Sequence, residues 1–428
     1  MISSVHDTLR PPGGSRAGIQ PAPARQRRVV IIGSLGYSLV NFRLDLMRRF
    51  QANGYDVLAL AAEIDPDTAE ILDSNGISHR ELPMERTGTN PAQDLKSLWA
   101  LVRELRAARP DIVIAYTMKP IVYGCLAARI ASVPARYALF TGLGYAFMDP
   151  KPKGRRRLVR DISIGLHRLA LRGIDGAFCY NSADRNDIRR FKLIPADVML
   201  HDIPGSGVDT SRFAPTPVPA GPVRFLFVGR LLRSKGLAVL AQAAEKLKSE
   251  GLEFEIDILG PKDSNPDRIH DSELEAWQSA GLMRYLGSSD DVVPYLQRCS
   301  VFVLPTYLRE GIPRSILEAM SCGRAVITTD SPGCGEMIED GVSGLVVPRG
   351  DATALADAMR RFVLKPDLAE TFGTAARSHV CRTNDVHLVN ARLMQCMSIE
   401  GGSPTPNPYP TPPTTTQAPA SRLEVRMP

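Results

Sequence analysis

Two pairs of charged residues stand where their chemistry could act on a ligand that carries phosphate and hydroxyl groups. The cationic pair, Arg230 and Lys235, follows a strand-like run that ends at Gly229, in the segment FVGRLLRSKG (227–236). A glycine and two cations ahead of a helix can clamp a diphosphate, because the helix N-terminus supplies N–H donors and the side chains add charge-assisted hydrogen bonds. A solvated basic turn is the alternative interpretation.

The acidic pair lies in REGIPRSILEAM (309–320), where Glu310 and Glu318 are eight positions apart. Gly311 lets the backbone approach a ligand closely, and the helix that follows offers free N–H groups to an anion. Glu310 would then reach a sugar, and Glu318, about one turn into the helix, would reach a ribose diol. The segment therefore predicts a binding site for an anionic, hydroxyl-bearing ligand.

The same segment also fits an ordinary helix start. Ser315 as N-cap with Glu318 three positions later satisfies the capping-box pattern, and Pro313 could equally be a first-turn proline. Taken alone, the segment leaves the two interpretations about equal.

Short β-branched runs alternating with helical patterns must position these side chains. Nearly continuous apolar strands separated by helices are typical of parallel sheets covered on both faces, and ligands of such folds bind beyond the carboxyl ends of the strands. We therefore predict an α/β protein with two doubly wound, Rossmann-like domains that face a cleft. The predicted strands are 28–33, 56–61, 111–116, 136–140 and 176–180 in the first domain and 223–229, 254–260, 301–304 and 325–329 in the second.

Composition changes mark the boundaries of these domains. Residues 1–26 and the Pro/Thr-rich 399–428 lack periodicity and are predicted to be disordered tails. The proline-rich RFAPTPVPAGP divides the two strand series and is typical of a hinge. The predicted units are an N-terminal domain at 27–211, a hinge at 212–222, a C-terminal domain at 223–375 and a terminal helix at 376–398 that packs back on the first domain.

The overall composition is that of a globular enzyme in a reducing compartment. The 428 residues are 44% hydrophobic and 23% charged, with a net charge of +6. The seven cysteines form no C-x-x-C pair, which argues against a disulfide framework. No apolar stretch has the length of a membrane span, and the N-terminus lacks the apolar core of a signal peptide. We expect a cytoplasmic protein.

The combination of four segments resembles the family-4 glycosyltransferases of the GT-B fold. These segments are GSGVDTSRFAP, GRLLRSKG, LREGIPRSILEAMSCGRAVITTD and PGCGEMIEDGVSGLVVPRGD, and the resemblance covers roughly residues 28–395. The order and spacing of Arg230/Lys235 and Glu310/Glu318 are specific to this family. The resemblance therefore favours the ligand-binding interpretation of both charged pairs.

The resemblance implies transfer of a sugar from a UDP-sugar donor with retention of anomeric configuration. Arg230 and Lys235 would stabilise the departing diphosphate, Glu310 would bind the donor sugar, and Glu318 the ribose hydroxyls. The leaving phosphate would accept the proton of the incoming hydroxyl, so that no separate nucleophile is needed. The expected catalytic residues are Glu310, Arg230 and Lys235, within a donor site formed by Gly229, Arg230, Lys235, Glu310, Gly311, Ile312, Pro313, Arg314, Ser315 and Glu318.

The acceptor is expected on the N-terminal side of the cleft. GSLGYS (33–38) follows the first strand but lacks the G-x-G-x-x-G spacing of a dinucleotide site, so a plain tight turn is the alternative. LFTGLGYAF (139–147) follows another strand, and Phe140-Thr141-Gly142 stands where many family members carry a histidine. The candidate cleft residues are Gly33, Ser34, Gly36, Lys119, Thr141, Gly142 and Gly144, with an exposed helix-start lysine as the alternative for Lys119.

The segment KPKGRRRLVRDISIGLHRLALR (151–172) is the most basic part of the chain. Its apolar residues Leu158, Ile162, Leu166 and Leu169 recur at helical spacing, which leaves one apolar and one cationic face. A solvated surface helix is the default interpretation, and an interfacial helix at anionic lipid is the alternative. Similarity to bacterial family members that extend undecaprenyl-diphosphate-linked sugars favours the membrane. The candidate residues for a membrane surface or lipid diphosphate are Arg155, Arg156, Arg157 and Arg160.

Metal and nucleic-acid chemistry are not expected. The D-x-D sequence at 65–67 has the form of a divalent-ion site, but Asp65 as an N-cap before Pro66 explains it more simply. The histidines show no ligand spacing, so we expect neither a metal site nor a cofactor. No aromatic platform accompanies the basic segment, which argues against nucleic-acid binding.

The sequence thus predicts a peripheral membrane glycosyltransferase that acts on a polyprenyl-diphosphate-linked glycan in bacterial polysaccharide or glycan synthesis. The expected partners are a UDP-sugar, the lipid-linked acceptor and an anionic membrane surface. Two alternatives remain at this level: a GT-B hydrolase or epimerase of UDP-sugars, and a non-catalytic membrane-associated scaffold.

Overall fold

The computed structural model of the chain describes residues 25–84, 91–147 and 152–400. The predicted tails lie almost entirely outside these ranges. Within them, no helix is both long enough and apolar enough to cross a bilayer.

A seven-stranded parallel sheet forms the centre of the N-terminal half, with the strand order β3-β2-β1-β4-β5-β6-β7. Its central strands are rich in valine, isoleucine and alanine and are buried on both faces, since a hydrophobic cluster covers each side of the sheet. The strands are β1 (Arg28–Ile32), β2 (Asp56–Ala61), β3 (Ser78–Glu81), β4 (Ile112–Tyr116), β5 (Ala135–Phe140), β6 (Gly176–Cys179) and β7 (Leu200–Asp202).

Six helices connect and cover these strands. Two of them begin at side-chain caps: Asp65 accepts from the Thr68 amide at 2.9 Å, and Asn181 accepts from the Asp184 amide at 2.8 Å. The expected N-cap role of Asp65 is therefore confirmed. The helices are α1 (Gly36–Ala52), α2 (Pro66–Ser74), α3 (Pro91–Ala108), α4 (Met118–Ile130), α5 (Gly154–Ala170) and α6 (Ser182–Arg190).

The second half repeats this architecture around a six-stranded sheet with the order β10-β9-β8-β11-β12-β13. The two parallel-sheet α/β domains confirm the predicted fold class. The strands are β8 (Val223–Val228), β9 (Phe254–Leu259), β10 (Arg284–Tyr285), β11 (Val301–Leu304), β12 (Ala325–Thr329) and β13 (Gly344–Val347). The helices are α7 (Leu237–Ser249), α8 (Asp271–Ser279), α9 (Val293–Arg298), α10 (Arg314–Ser321), α11 (Ala352–Leu364), α12 (Asp367–Thr383) and α13 (Val386–Cys396).

The chain passes between the two domains at two adjacent points. The Val208 amide donates to the Asn384 carbonyl at 2.9 Å, and the Val386 amide donates to the Val208 carbonyl at 3.0 Å. Beyond this crossing, α13 packs on α1, with Val389 and Leu393 in the core of the first domain. The interdomain connection is thus a paired one, with both segments tied to each other.

The proline-rich segment predicted as a hinge is anchored to the second domain. Phe213 is 2% exposed in the core of that domain, and the buried Arg324 donates to the Thr216 hydroxyl and to the Pro217 carbonyl. The crossing between the domains lies a few residues earlier, at 204–208.

Candidate active site

The carboxyl ends of the two sheets face each other, and their loops touch there. A Cβ on Gly311, in the loop after β11, would lie 2.1 Å from the carbonyl oxygen of Thr141, in the loop after β5. Gly142 has φ of +133°, and its Cβ would lie 3.4 Å from the Gly311 nitrogen. Only glycine at 311 allows this backbone contact. The structure thus brings together the predicted donor loop and two of the predicted acceptor-side residues.

The central feature of the site is a hydrogen-bonded ion pair between Lys235 and Glu310. The Lys235 Nζ lies 2.6 Å from Glu310 Oε1, and the two side chains are only 14% and 17% exposed. Lys235 ends a 3₁₀ turn held against β11, because a Cβ on the next residue, Gly236 (φ +86°), would meet the Pro305 carbonyl at 2.0 Å. Two residues 75 positions apart are therefore fixed at one point beyond the strand ends.

Arg230, the other predicted cation, lies in the loop directly after β8. It follows Gly229 at the end of β8, where the chain packs so tightly that a Cβ on Gly260 would lie 2.0 Å from the Gly229 oxygen. Its guanidinium donates to Asp263 at 3.0 Å, and half of the side chain is exposed. Because a guanidinium carries five N–H donors, this single bond leaves others available to a ligand.

Helix α10 begins beside this cluster, but not as the capping box predicts. Pro313 occupies the N-cap position, and Ser315 is already the second helical residue, so the alternative interpretation with Ser315 as N-cap is wrong. The Glu318 carboxylate does not return to an N-terminal amide and instead lies 3.0 Å from the Arg314 Nε. Proline has no side-chain acceptor to cap the first turn. The Ile316 amide donates to the Pro313 carbonyl at 3.2 Å, which leaves the N–H groups of Arg314 and Ser315 open to a ligand.

Glu318 faces the N-terminal domain through Arg314. The Arg314 guanidinium lies over the ring of Phe42 of α1, 5.4 Å from its centroid. Burial raises the pKa of Glu318, while the charges of Arg314 and Arg212 act in the opposite direction. Glu318 is therefore a partly buried carboxylate whose position is set by Arg314.

The glycines after β1 are explained by packing. A Cβ on Gly33 would lie 2.3 Å from the Tyr116 hydroxyl, and one on Gly36 would lie 2.5 Å from the Glu63 carbonyl oxygen. They allow α1 to begin immediately after the strand, as the tight-turn alternative requires. Ser34 lies between the two buried glycines in sequence, and it is half-buried, so it remains accessible from the cleft loop.

Lys119 is not a free exposed lysine. It lies in the first turn of α4 and pairs with Asp94 of α3 at 2.9 Å, with 22% of its side chain exposed. Gly144 lies nearby, at φ of +67°, with its Cβ position 3.7 Å from Met118. The lysine thus connects two helices at the rim of the cleft.

A set of polar residues missed in the sequence connects α6 to the donor loop. The Asn181 side-chain amide donates to the carbonyls of Glu310, at 3.1 Å, and Gly311, at 2.9 Å. Arg309 pairs with Asp184 at 2.7 Å, and Asp184 is fully buried. The residues Asn181, Asp184 and Arg309 are called the interdomain clamp below.

A further contact supports the interdomain clamp from the other side of α6. Glu336, in the turn after β12, accepts from the Ser182 amide and hydroxyl, both at 3.1 Å. A carboxylate at a helix N-terminus is favoured by the helix dipole. NSADRND (181–187) has the pattern of a helix start, but its partners lie more than 120 positions away, so no local signal identifies them.

A histidine does lie near the loop after β5, although not in the loop itself. His167 of α5 stacks against Phe140 with ring centroids 6.1 Å apart, and its Nδ1 lies 2.7 Å from the Ser163 carbonyl. Burial lowers the pKa of His167 to about 4. The imidazole is therefore neutral at neutral pH, and it packs beneath the cleft rather than within it.

The predicted basic helix is present as α5, and it exposes apolar side chains as well as arginines. Arg155, Arg156 and Arg157 are exposed, whereas Arg160 packs over the Phe191 ring with its side chain only 16% exposed. The assignment of Arg160 to a lipid-facing surface is therefore wrong, because its guanidinium lies against the protein. The apolar residues Leu158, Ile162 and Leu169 are exposed by 60%, 53% and 43%.

No group of three or more histidine, cysteine, aspartate or glutamate side chains in the described ranges is arranged to hold a metal ion. The predicted donor residues include the cations Arg230, Lys235 and Arg314, the last of them in the first turn of α10.

Two facing parallel-sheet domains, with cations, a helix start and two carboxylates beyond the strand ends, define a transferase of the GT-B class. Family models agree: a glycosyltransferase 4-like domain matches residues 40–201, and a group 1 glycosyltransferase domain matches residues 222–364. The two matches together span most of the chain. The protein therefore belongs to the family-4 glycosyltransferases.

Relatives of assigned activity are similar over most of their length. The chain is 27% identical over 343 residues to the N,N'-diacetylbacillosaminyl-diphospho-undecaprenol alpha-1,3-N-acetylgalactosaminyltransferase of Campylobacter jejuni, covering 77% of this chain and 88% of that protein. It is also 27% identical over 283 residues to the UDP-Gal:alpha-D-GlcNAc-diphosphoundecaprenol alpha-1,3-galactosyltransferase of Escherichia coli, covering 63% and 70% of the two chains.

The fold is likewise that of solved enzymes. Anabaena HepE in complex with UDP and glucose superimposes with a TM-score of 0.71 at 18% identity, covering 87% of this chain and 99% of HepE. At this identity the likeness establishes the fold, which is the GT-B fold.

Proposed function

We propose that the protein transfers a hexose or N-acetylhexosamine from a UDP-sugar to a polyprenyl-diphosphate-linked glycan, with retention of anomeric configuration, in bacterial polysaccharide or glycan synthesis. The observation that carries this proposal is the Lys235–Glu310 pair, 2.6 Å apart and less than a fifth exposed, in the loops that lead from β8 to α7 and from β11 to α10. Both named relatives act on sugars attached to undecaprenyl diphosphate.

The proposed chemistry follows from the charges. As the bond between the sugar and UDP breaks, negative charge develops on the β-phosphate, where fixed cations and amides are most effective. In this proposal the side chains of Arg230 and Lys235 and the amides of Ile312, Arg314 and Ser315 bind that phosphate. The acceptor hydroxyl forms the new glycosidic bond on the same face, and its proton passes to the departing phosphate oxygen.

The two glutamates orient the donor in this proposal. Glu310 accepts hydrogen bonds from hydroxyls of the transferred sugar, and Lys235 holds this carboxylate in place. Glu318 accepts from the ribose hydroxyls, with Arg314 fixing its direction. No divalent cation takes part, because the side-chain cations neutralise the diphosphate.

The acceptor side is proposed to lie at a membrane. The exposed residues Leu158, Ile162 and Leu169 of α5 follow one line along the helix, at intervals of four and seven residues. His167, on the opposite face of the helix, is buried, so this line points away from the protein. An exposed apolar line flanked by Arg155 and neighbouring arginines is typical of an interfacial helix. We accordingly place the enzyme at the cytoplasmic face of the membrane.

The test is a transfer assay with labelled UDP-sugars and lipid-diphosphate acceptors, with and without EDTA. Glu310→Gln and Arg230→Gln should abolish transfer, whereas the exposed control Glu253→Gln should retain it. Anomeric retention is read from the product by NMR. Release of free sugar from UDP-sugar without any acceptor would instead identify a hydrolase, and undiminished transfer by Glu310→Gln would refute the donor-site assignment.

A further inference from the structure

A basic pocket lies on the N-terminal domain, apart from the cleft. It has a volume of about 670 Å³ and is formed by the end of α5, the end of α6 and the loop that follows α6. Four of its seven lining side chains are cationic and none is acidic. The lining residues are Arg168, Arg172, Arg189, Lys192, Ile194, Pro195 and Ala196.

Two of these cations are held in place by the backbone. Arg168 donates through Nε and a terminal nitrogen to the Phe191 carbonyl, at 3.2 and 2.8 Å. Arg189 donates to the Val198 carbonyl at 3.1 Å. Carbonyl partners fix a guanidinium without neutralising its charge, and each retains further N–H donors. The pocket thus has positioned donors of the kind that bind phosphate.

The four charges of the pocket are not compensated by carboxylates. Across the described parts of the chain, no ion pair involves Arg168, Arg172, Arg189 or Lys192. Clustered charges of one sign in a concave surface focus the electrostatic potential and attract a counter-ion. The structure therefore concentrates positive charge at a point that the catalytic site does not use.

The pocket adjoins the line of exposed apolar residues on α5. Arg168 immediately precedes the exposed Leu169, and Arg172 follows one turn after Arg168. Helix α5 runs from the cleft loop, after the carboxyl end of β5, to the amino end of the parallel strand β6. Its last turn therefore lies at the end of the strands that is remote from the cleft. At 1.5 Å per residue, its 17 residues separate the pocket from the cleft end of the helix by about 25 Å.

From this arrangement we infer that the pocket formed by Arg168, Arg172, Arg189 and Lys192 binds the phosphate group of an anionic phospholipid in the membrane on which α5 lies. The inference rests on the membrane contact included in the proposed function. A phosphate held at one end of the helix, with Arg155–Arg157 at the other, fixes the direction in which α5 lies on the bilayer. The cleft is then held at the end of the helix where the lipid-linked acceptor must enter.

The test compares two double variants with the same change in charge. Arg172→Gln/Lys192→Gln removes two exposed pocket cations, and the control Arg361→Gln/Lys365→Gln removes two exposed cations of the second domain. The measurement is the fraction of protein bound to vesicles of phosphatidylcholine with and without phosphatidylglycerol. We expect the pocket variant to lose about ten-fold in affinity for the anionic vesicles, and the control less than about two-fold. Equal losses in both variants would show a diffuse charge effect and overturn the inference.

A second arm distinguishes a lipid headgroup from free phosphate. Inorganic phosphate is added to the vesicle assay at constant ionic strength. Unchanged retention of the unmodified protein supports the headgroup, whereas a fall to the level of the pocket variant would assign the pocket to soluble phosphate.

Failure of this inference is separable from failure of the proposed function. Transfer to a water-soluble short-chain acceptor tests the catalytic assignment without any membrane. The pocket variant should retain that activity and its thermal stability, because the pocket lies outside the cleft. Loss of soluble transfer in the pocket variant would contradict a purely membrane-binding role.

Discussion

The donor side of the cleft and the outer face of α5 are both rich in positive charge, but they hold it in opposite ways. Lys235 is only 14% exposed and is hydrogen-bonded to Glu310, so its ammonium has one position. Arg155 and its neighbours on α5 are exposed, beside apolar side chains that are themselves about half exposed. A charge that stabilises a transition state must be fixed in advance, whereas a charge that attracts a membrane acts over a distance and needs no fixed geometry.

The strongest test of this contrast is Lys235→Met. We expect transfer to fall by about 10²–10³-fold, because one preorganised cation at the developing phosphate charge is lost and Glu310 loses its partner. Lys365→Met, on the exposed end of α11, is the matched control and should retain full activity. The measurement is kcat/KM for the UDP-sugar at two salt concentrations. If high salt lowered kcat/KM of the unmodified protein as much as Lys235→Met does, Lys235 would act as a screened surface charge rather than a fixed one.

The corresponding change on α5 is Leu158→Ser/Ile162→Ser. Two apolar side chains no longer enter the bilayer, which costs about 2–3 kcal/mol of binding, or on the order of 50-fold in vesicle partition. Transfer to a water-soluble acceptor should be unaffected. Transfer to a vesicle-bound acceptor should fall in proportion to the loss of vesicle binding. Two exposed apolar residues of the second domain, in Val342→Ser/Leu364→Ser, provide the control. Vesicle binding unchanged by the α5 double variant would remove α5 from the membrane contact.

The acid stability of the N-terminal domain should depend on His167. Its pKa is lowered to about 4 by burial, from 6.5 in the unfolded chain. Above pH 6.5 the imidazole is neutral in both states and costs nothing; as the pH falls from 6.5 towards 4, only the unfolded state takes up the proton, so stability is lost. At pH 5 the loss is about 2 kcal/mol relative to pH 7.5.

The measurement is urea unfolding of the unmodified protein and of His167→Gln at both pH values. The variant should lose less stability between pH 7.5 and pH 5, although it is less stable at neutral pH. Equal losses in the two proteins would mean that other groups cause the acid sensitivity.

The smallest expected effect concerns the interdomain clamp. Asn181→Asp keeps an oxygen to cap α6 but loses the amide that donates to the carbonyls of Glu310 and Gly311. We expect kcat/KM to fall by about ten-fold, since the loop that carries Glu310 is less well positioned. Thermal stability should fall as well, because the new carboxylate faces the buried Asp184 carboxylate, to which the Asn181 amide donates at 2.9 Å. Asn181→Ala avoids this repulsion and should lose about 1 kcal/mol of stability from the missing cap. An unaltered kcat/KM in Asn181→Asp would exclude a positioning role.

The predicted strands show where sequence patterns are informative. All nine predicted runs contain a strand, because central strands of a parallel sheet are buried on both faces and read as apolar runs. The four strands that the patterns missed, β3, β7, β10 and β13, are the edge strands of the two sheets. Each has only two to four residues, and β3 is polar. Edge strands pair on one side, so their signal is weaker.

The candidate site shows the same limit at the level of single residues. Glu310 and Lys235 could be selected from motif order, and the structure brings them within 2.6 Å. The helix start at Pro313 and the pairing of Glu318 with Arg314 could not be predicted, because the same residues fit more than one local helix cap. The pairing of Lys119 with Asp94 depends on how two helices pack and has no sequence signature.

The sequence by itself determined the fold class, since this depends on the periodicity of apolar residues, and it predicted the donor-side motif from spacing along one short segment. Tertiary structure alone decided that Asn181 holds the loop after β11, that Arg160 packs on Phe191, and that four cations of α5, α6 and the neighbouring loops surround one pocket. Such contacts join residues that are distant in the chain or lie on different elements. Their distances are set by the packing of helices on the sheet, which local chemistry does not encode.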